Sequence, residues 1–288
     1  MILAFTSDFH IDTSKENFMI LKRIKQKLEL KNPDVFIIAG DIGAYLSSVQ
    51  DALSVFRNLD LKKIFIPGNH DIWKEGNGSS YEKYFSLLPE IARENNFIPL
   101  WLKPIVINGI GFCGSMGWYD YSLRNSKMRF TVKDYIHKEY NGSMWMDKQN
   151  ANFVNQKKRM KDTEITELLY RRFVNDCESI YRNSRKIVVV FHHVPFKEML
   201  LYKNRPDWDY FSAFMGSEKF GKYLLRKNKV KLVISGHQHL KKRTEIRRFL
   251  NLGSTIISTA SPFGYFLIEG KYPVEKWYDE RLSFIRMK

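Results

Sequence analysis

The stretch Ile64-Phe65-Ile66-Pro67-Gly68-Asn69-His70-Asp71 decides how this chain is read. Three apolar residues form a short run of the kind found in buried strands, Pro67-Gly68 punctuates it, and three polar residues follow at its carboxyl end. In an open α/β sheet, that end of a strand is where ligands and catalytic groups gather. Asn offers a neutral oxygen to a metal, His serves as ligand or proton donor, and Asp can orient that His. Pro-Gly-Asn is also ordinary turn chemistry, so the stretch takes its meaning from its surroundings.

Working outward, the residues before it repeat the pattern. Residues 2–6 are an apolar strand ending at Ser7-Asp8-Phe9-His10. With no basic segment ahead of it, this start reads as a first strand and not as a signal peptide. Residues 15–31 carry Phe18, Leu21, Ile24 and Leu28 at helical spacing, with Ser14 as cap and Asn32-Pro33 as stop. Val35 to Ala39 is a continuous apolar strand of the type buried on both faces, ending at Gly40-Asp41. A helix near 47–58 leads back to the opening stretch. The first 71 residues thus read β-α-β-α-β, which by the handedness of such units builds a parallel sheet with its ligands at one edge.

Beyond it, residues 80–95 read as a helix and 104–107 and 110–113 as short strands. From 114 to about 162 the pattern blurs into aromatics, Asn, Lys and Met, an elaboration over the site. Residues 163–182 and 217–228 read as helices, with a loop over 196–215. Ile187 to Phe191 is a strand ending at His192-His193, and Val230 to Ile234 is one ending at Ser235-Gly236-His237-Gln238-His239. From 242 to 288 short alternating segments (243–246, 248–251, 255–259, 264–268) suggest antiparallel strands. We read 1–288 as a single domain with these two additions.

The 288 residues suffice for a sizeable core, and 44% apolar content argues against disorder. No apolar run approaches the ~18 residues of a membrane span. Cys113 and Cys177 stand in no metal or redox spacing, which fits two inert thiols in a reducing cytoplasm. The charge of +16 comes from 47 basic and 31 acidic residues. It would attract nucleic acid or phosphorylated substrates, yet the lysines are spread along the chain as background composition. The clusters Lys157-Lys158-Arg159, Arg171-Arg172 and Lys241-Lys242-Arg243 read equally as solvated faces.

Five strand ends carry polar groups: Asp8 with His10, Asp41, Asn69 with His70 and Asp71, His192, and His237 with His239. Of seven histidines only His137 falls elsewhere. Carboxylate, imidazole and amide oxygen without thiolate suit Mn, Fe, Zn, Co or Ni better than a closed structural zinc site. The groups are too many for one tetrahedral ion. They would fill two sites if one Asp is shared, the arrangement used for phosphoester hydrolysis.

The ordered set Asp8-x-His10, Gly40-Asp41, Gly68-Asn69-His70-Asp71, His192 and Gly236-His237-x-His239 resembles the calcineurin-like metallophosphoesterase superfamily over residues 1 to about 245. The resemblance implies an α/β fold, a four-layer α-β-β-α sandwich of two mixed β-sheets flanked by helices. It implies two divalent metal ions, with Mn favoured. Asp8, His10 and His239 would hold one ion, Asn69, His192 and His237 the other, and Asp41 both. His70 would be catalytic, facing the substrate phosphate and leaving group, with Asp71 orienting it.

The expected activity is hydrolysis of a phosphomonoester or phosphodiester, nucleotides included. The aromatics Trp73, Trp118, Tyr119, Tyr121, Trp208, Tyr210 and Phe211 would stack a base or line a pocket, or else pack the core. A nuclease using the same centre on DNA or RNA is the alternative, favoured by the basic excess. A scaffold that kept the fold without catalysis is the third reading.

Overall fold

Strands β1 (Ile2–Thr6), β2 (Val35–Ala39) and β3 (Lys62–Ile66) pair in parallel in the computed structural model, followed by β4 (Phe97–Pro99). The structure describes residues 1–248, 256–260 and 281–287. Every residue of β2 is buried, as its unbroken apolar run requires of a strand covered on both faces. The strand Ser283–Arg286 pairs antiparallel with β1 and completes a five-stranded sheet.

The second sheet has six strands. β5 (Ile105–Ile107) lies antiparallel to β6 (Ile110–Ser115), and Lys186–Phe191, Val230–Ser235 and Ile256–Ala260 follow in parallel. Lys242–Ile246 closes the far edge antiparallel to Ile256–Ala260. The sheets meet face to face where Gly114 of β6 makes room for β3: a Cβ there would stand 2.8 Å from Cδ1 of Ile66. Helices flank this pair of mixed sheets, giving the sandwich expected from the sequence.

The helices form for legible reasons. α1 (Lys15–Lys31) begins where the Ser14 side chain accepts from the Asn17 amide, and it ends at Asn32 in the left-handed region. It buries Ile20, Leu21, Ile24 and Leu28, while Phe18 is only partly covered. α2 (Leu46–Val55) packs against it. A helical run over 80–94 contains one π segment, Lys83–Leu87. The helix Asp162–Tyr181 packs on β6.

The elaboration before that helix holds two-residue hairpins and the short helices Val132–Ile136 and Asp147–Asn150. It is tied down by rings: Tyr135 stacks on Tyr121 at 5.9 Å and on Tyr210 at 5.1 Å.

Three details differ from expectation. β4 ends in Pro99 and was not anticipated, since proline removes a ladder donor and is confined to positions such as sheet edges. Ile256–Ala260 pairs in parallel with Val230–Ser235, so the tail is not purely antiparallel. Cys113 and Cys177, distant in sequence, are neighbours in the fold, both buried as free thiols. The expected strand 264–268 lies outside the described residues, as does 248–251 apart from Arg248.

Candidate metal centre

The loops that leave the strands bend sharply, and their bends aim the polar side chains. Asp8, His10, Asp41, His237 and His239 all have positive φ, between 43° and 69°. A side chain in the left-handed region costs of order 1 kcal/mol, and such residues collect where geometry serves function. The loops are locked together by backbone bonds: Asp8 N–H donates to Gly40 O at 2.8 Å and His10 N–H to Asp41 O at 3.1 Å. Gly68 is obligatory in this crowding, because a Cβ there would lie 2.1 Å from Asp41 Oδ1.

Two groups of donors result. In one, ligand atoms of Asp8, His10, Asp41 and His239 lie within 4.8 Å of one another; in the other, those of Asp41, His192 and His237 do. Asp41 belongs to both. Its Oδ2, buried and without a hydrogen bond, stands 3.3 Å from His192 Nε2 and 3.6 Å from His10 Nε2. Asn69 joins the second group, its Oδ1 lying 3.2 Å from His192 Nε2.

The ring hydrogens show what this arrangement wants. His192 Nδ1 lies 2.8 Å from Ala39 O and His237 Nε2 lies 3.3 Å from Phe214 O. A carbonyl only accepts, so those nitrogens are the donors. The remaining nitrogens, His192 Nε2 and His237 Nδ1, then face each other at 3.1 Å with Asn69 Oδ1 alongside. Lone pairs meeting there need a proton or a cation between them. Burial opposes a proton on His192, but the Asp41 carboxylate outweighs it and lifts the imidazole to about 9. Burial drives His237 well below its ordinary value and His10 down to about 3. His237 and His10 are thus neutral imidazoles beside two carboxylates, and at His192 a divalent cation would take the place of the proton, a donor set that fits such ions.

His193 stands apart from both groups. Its Nδ1 bonds Met116 O at 3.1 Å and its ring lies against Trp118. His70 is at the rim, 22% exposed, with Nε2 at 4.0 Å from Asp41 Oδ2. Asp71 does not orient it. Its carboxylate instead accepts from the amides of Gly68, Asp41, Ile42 and Gly43 at 2.7 to 3.0 Å. Burial and the neighbouring Asp41 push Asp71 up to about 7 against those amide bonds. Its role is to clamp two ligand loops, while His70 is held by stacking on Trp73 at 3.7 Å.

The family model for calcineurin-like phosphoesterases matches residues 1–241. The chain belongs to that family. Membership, together with the clustered Asp and His ligands, supports metal-dependent hydrolysis of a phosphoester. Among solved structures, its fold is similar to that of the phosphopantetheinyl hydrolase PptH from Mycobacterium tuberculosis. The TM-score is 0.69 and the identity 18%, over 94% of this chain and 93% of that one. A dimetal phosphatase from Danio rerio is similar at TM-score 0.52 and 11% identity, over 91% of this chain and 87% of that one. At such identities the likeness speaks for the fold alone. No curated protein matches the chain.

Within the phosphoesterase fold, one side chain that sequence reasoning missed ties the site together. Asp147, fully buried, accepts from Asn69 Nδ2 at 3.0 Å, Trp73 Nε1 at 2.7 Å, Trp145 Nε1 at 2.8 Å and Tyr119 OH at 3.1 Å. The first bond turns the Asn69 oxygen towards the histidines. The second fixes the indole on which His70 stacks. Arg281 was missed as well: buried beneath the site, it donates to Asp8 O at 3.2 Å. The aromatics of the sequence reading divide. Trp118, Tyr119, Tyr121 and Tyr210 are core, Trp73 supports His70, and Trp208 and Phe211 line a cavity beside the centre. Among the described residues no helix is long and apolar enough to cross a membrane.

Proposed function

We propose that this phosphoesterase works through a dinuclear centre in which Asp41 is shared. Asp8, His10 and His239 hold one cation, and Asn69, His192 and His237 the other. What supports the reading is the single carboxylate common to two donor groups. When bound, two divalent ions supply charge neutralisation for the phosphate oxygens and an acidified water. Manganese is the favoured metal.

The chain's own residues do the rest. Asn69 is oriented by Asp147 so that its oxygen, not its amide hydrogens, faces the centre. Asp71 holds the loop of Asp41 against that of Gly68. His70, at the rim and steadied by Trp73, donates a proton to the departing oxygen, a role worth typically 10²–10⁴ in rate.

Metal content and hydrolysis of a generic aryl phosphoester, measured on His70→Ala and Asp41→Ala, test the assignment. His70→Ala should keep both ions and lose rate, whereas Asp41→Ala should lose both ions. Loss of metal in His70→Ala would reject its role as proton donor. The net charge of +16 favours a second reading, a nuclease using the same centre. Affinity for DNA or RNA falling steeply with salt, beside a flat response for a small diester, would select it.

A further inference from the structure

Beside the centre lies a second cavity of about 400 Å³, and its chemistry differs from that of the metal site. It shares His237, His239 and Trp145 with the cleft of about 460 Å³ in which Asp41, Asn69 and His70 stand. The two spaces therefore open on the same histidines. Trp145 lines both and is held on three sides: its ring stacks on Phe214 at 5.4 Å, edges His237 at 5.6 Å and donates to Asp147.

The walls are apolar. Leu200, Leu201, Trp208, Phe211, Met215 and Leu240 supply most of the surface. Leu201, Trp208 and Leu240 are among the few large hydrophobic side chains left exposed among the described residues, 48%, 42% and 38% respectively. Apolar surface concentrated at the mouth of a site marks a place where something apolar binds. Besides the two histidines, the only acidic or basic side chain lining it among the described residues is Asp207, which is paired with Arg205 at 2.6 Å. Among the described residues no Lys or Arg lines the cavity, which does not favour a second phosphate there. One polar group there lacks a partner: both ends of the Gln238 carboxamide are buried without a hydrogen bond.

We propose that this cavity receives a bulky, uncharged, largely apolar substituent of the phosphoester, with Gln238 meeting a hydrogen-bonding edge on it. The proposal rests on the phosphoesterase reading above and narrows its substrate class. A phosphate at the centre places one of its ester oxygens towards His237 and His239, and the group on that oxygen continues into the apolar space. Substrates with only small or charged substituents leave these walls facing water.

The test compares two non-hydrolysable probes, 2-naphthylmethylphosphonate and methylphosphonate, by calorimetry on the Mn-loaded full chain and again on the metal-free chain. The naphthyl probe should bind roughly tenfold to a hundredfold tighter, from the apolar area it buries. That preference should shrink several-fold in Trp208→Ala and, as a second wall variant at an exposed position, in Leu240→Ala. Thermal melts of both confirm folding. Equal binding of the probes overturns the proposal, as does a preference that both wall variants leave intact. Hydrolysis of small aryl esters, followed in parallel with metal content, separates the two levels. Metal-dependent turnover without the naphthyl preference sinks the cavity assignment alone. A wall-dependent naphthyl preference without metal or turnover sinks the dinuclear reading and leaves the cavity standing.

Discussion

Asp147 Oδ1 accepts a hydrogen bond from Asn69 Nδ2 at 3.0 Å across 78 positions of sequence. An amide presents an oxygen and a nitrogen of nearly equal size, and only a neighbour decides which one faces a cation. Here the neighbour is a carboxylate, which accepts and never donates while ionised. The same carboxylate also holds the indoles of Trp73 and Trp145, so the metal-facing amide, the platform under His70 and the wall of the apolar cavity have one common anchor.

Replacing Asp147 by Asn keeps its volume but puts donors where two or more acceptors are needed. Partners that orient metal ligands typically cost roughly 10- to 100-fold in affinity or activity when lost. Asp147→Asn should therefore weaken retention of one cation and reduce kcat by a similar factor. Mass spectrometric metal counting against steady-state rates checks it. Since the effect on the cation acts through Asn69, Asp147→Asn combined with Asn69→Ala should retain metal no worse than Asn69→Ala alone, while its kcat falls further through the lost bond to Trp73.

Trp73 should matter to rate but not to metal. Trp73→Ala removes the surface on which His70 stacks at 3.7 Å, leaving the imidazole free to choose among rotamers. We expect kcat to fall about tenfold or more with metal stoichiometry unchanged. Trp73→Phe should recover part of that loss, because a ring remains while its bond to Asp147 does not. A metal-depleted Trp73→Ala protein would contradict this division of labour.

Gly68→Ala is the smallest change expected to disable the site. Its methyl group would meet Asp41 Oδ1 at 2.1 Å and the Asp41 backbone nitrogen at 2.6 Å. Neither can retreat, since that loop is pinned by Asp71. Overpacking of this kind costs typically 1–3 kcal/mol. The melting temperature should drop by several degrees and the shared ligand should move, with loss of both metals; a fully loaded variant would refute the crowding argument.

Asp176 offers a pH test remote from the site. Burial raises its carboxyl to about 6, with the Arg172 charge opposing the rise. The folded state therefore holds this proton more tightly than the unfolded chain does. The resulting stability is present below the unfolded value near 4 and is lost as pH rises through about 6. Asp176→Asn, which stays neutral, should melt higher than the parent above about pH 7 and show little difference below about pH 4. Melts at the two pH values decide it.

The sequence exposed much of this because strand cores and site residues use opposite chemistry. Val35 to Ala39 is apolar throughout and turns polar at once at Asp41, so both the buried strand and the group at its end are visible locally. Asp8, His10, His192, His237 and His239 follow the same rule. Asp147 does not. It lies in Trp145-Met146-Asp147-Lys148, where no periodicity separates inside from outside, and its four donors come from distant or irregular segments. Its importance arises only when tertiary structure closes around it. Asp71 was visible but misassigned, because adjacency in sequence suggested His70 while the turn points the carboxylate inward at four amides. The apolar cavity likewise assembles from three separated segments, around 145, 200–215 and 237–240.

The left-handed backbone at five donor positions has a consequence for how such a chain ages under mutation. Each of those conformations is tolerated more easily by glycine than by the residue that occupies it. Selection for chemistry and selection for robustness thus pull in opposite directions at the same five places. Glycine at any one of them would ease the backbone while removing a donor, so the scaffold carries a conformational cost that only its chemistry explains.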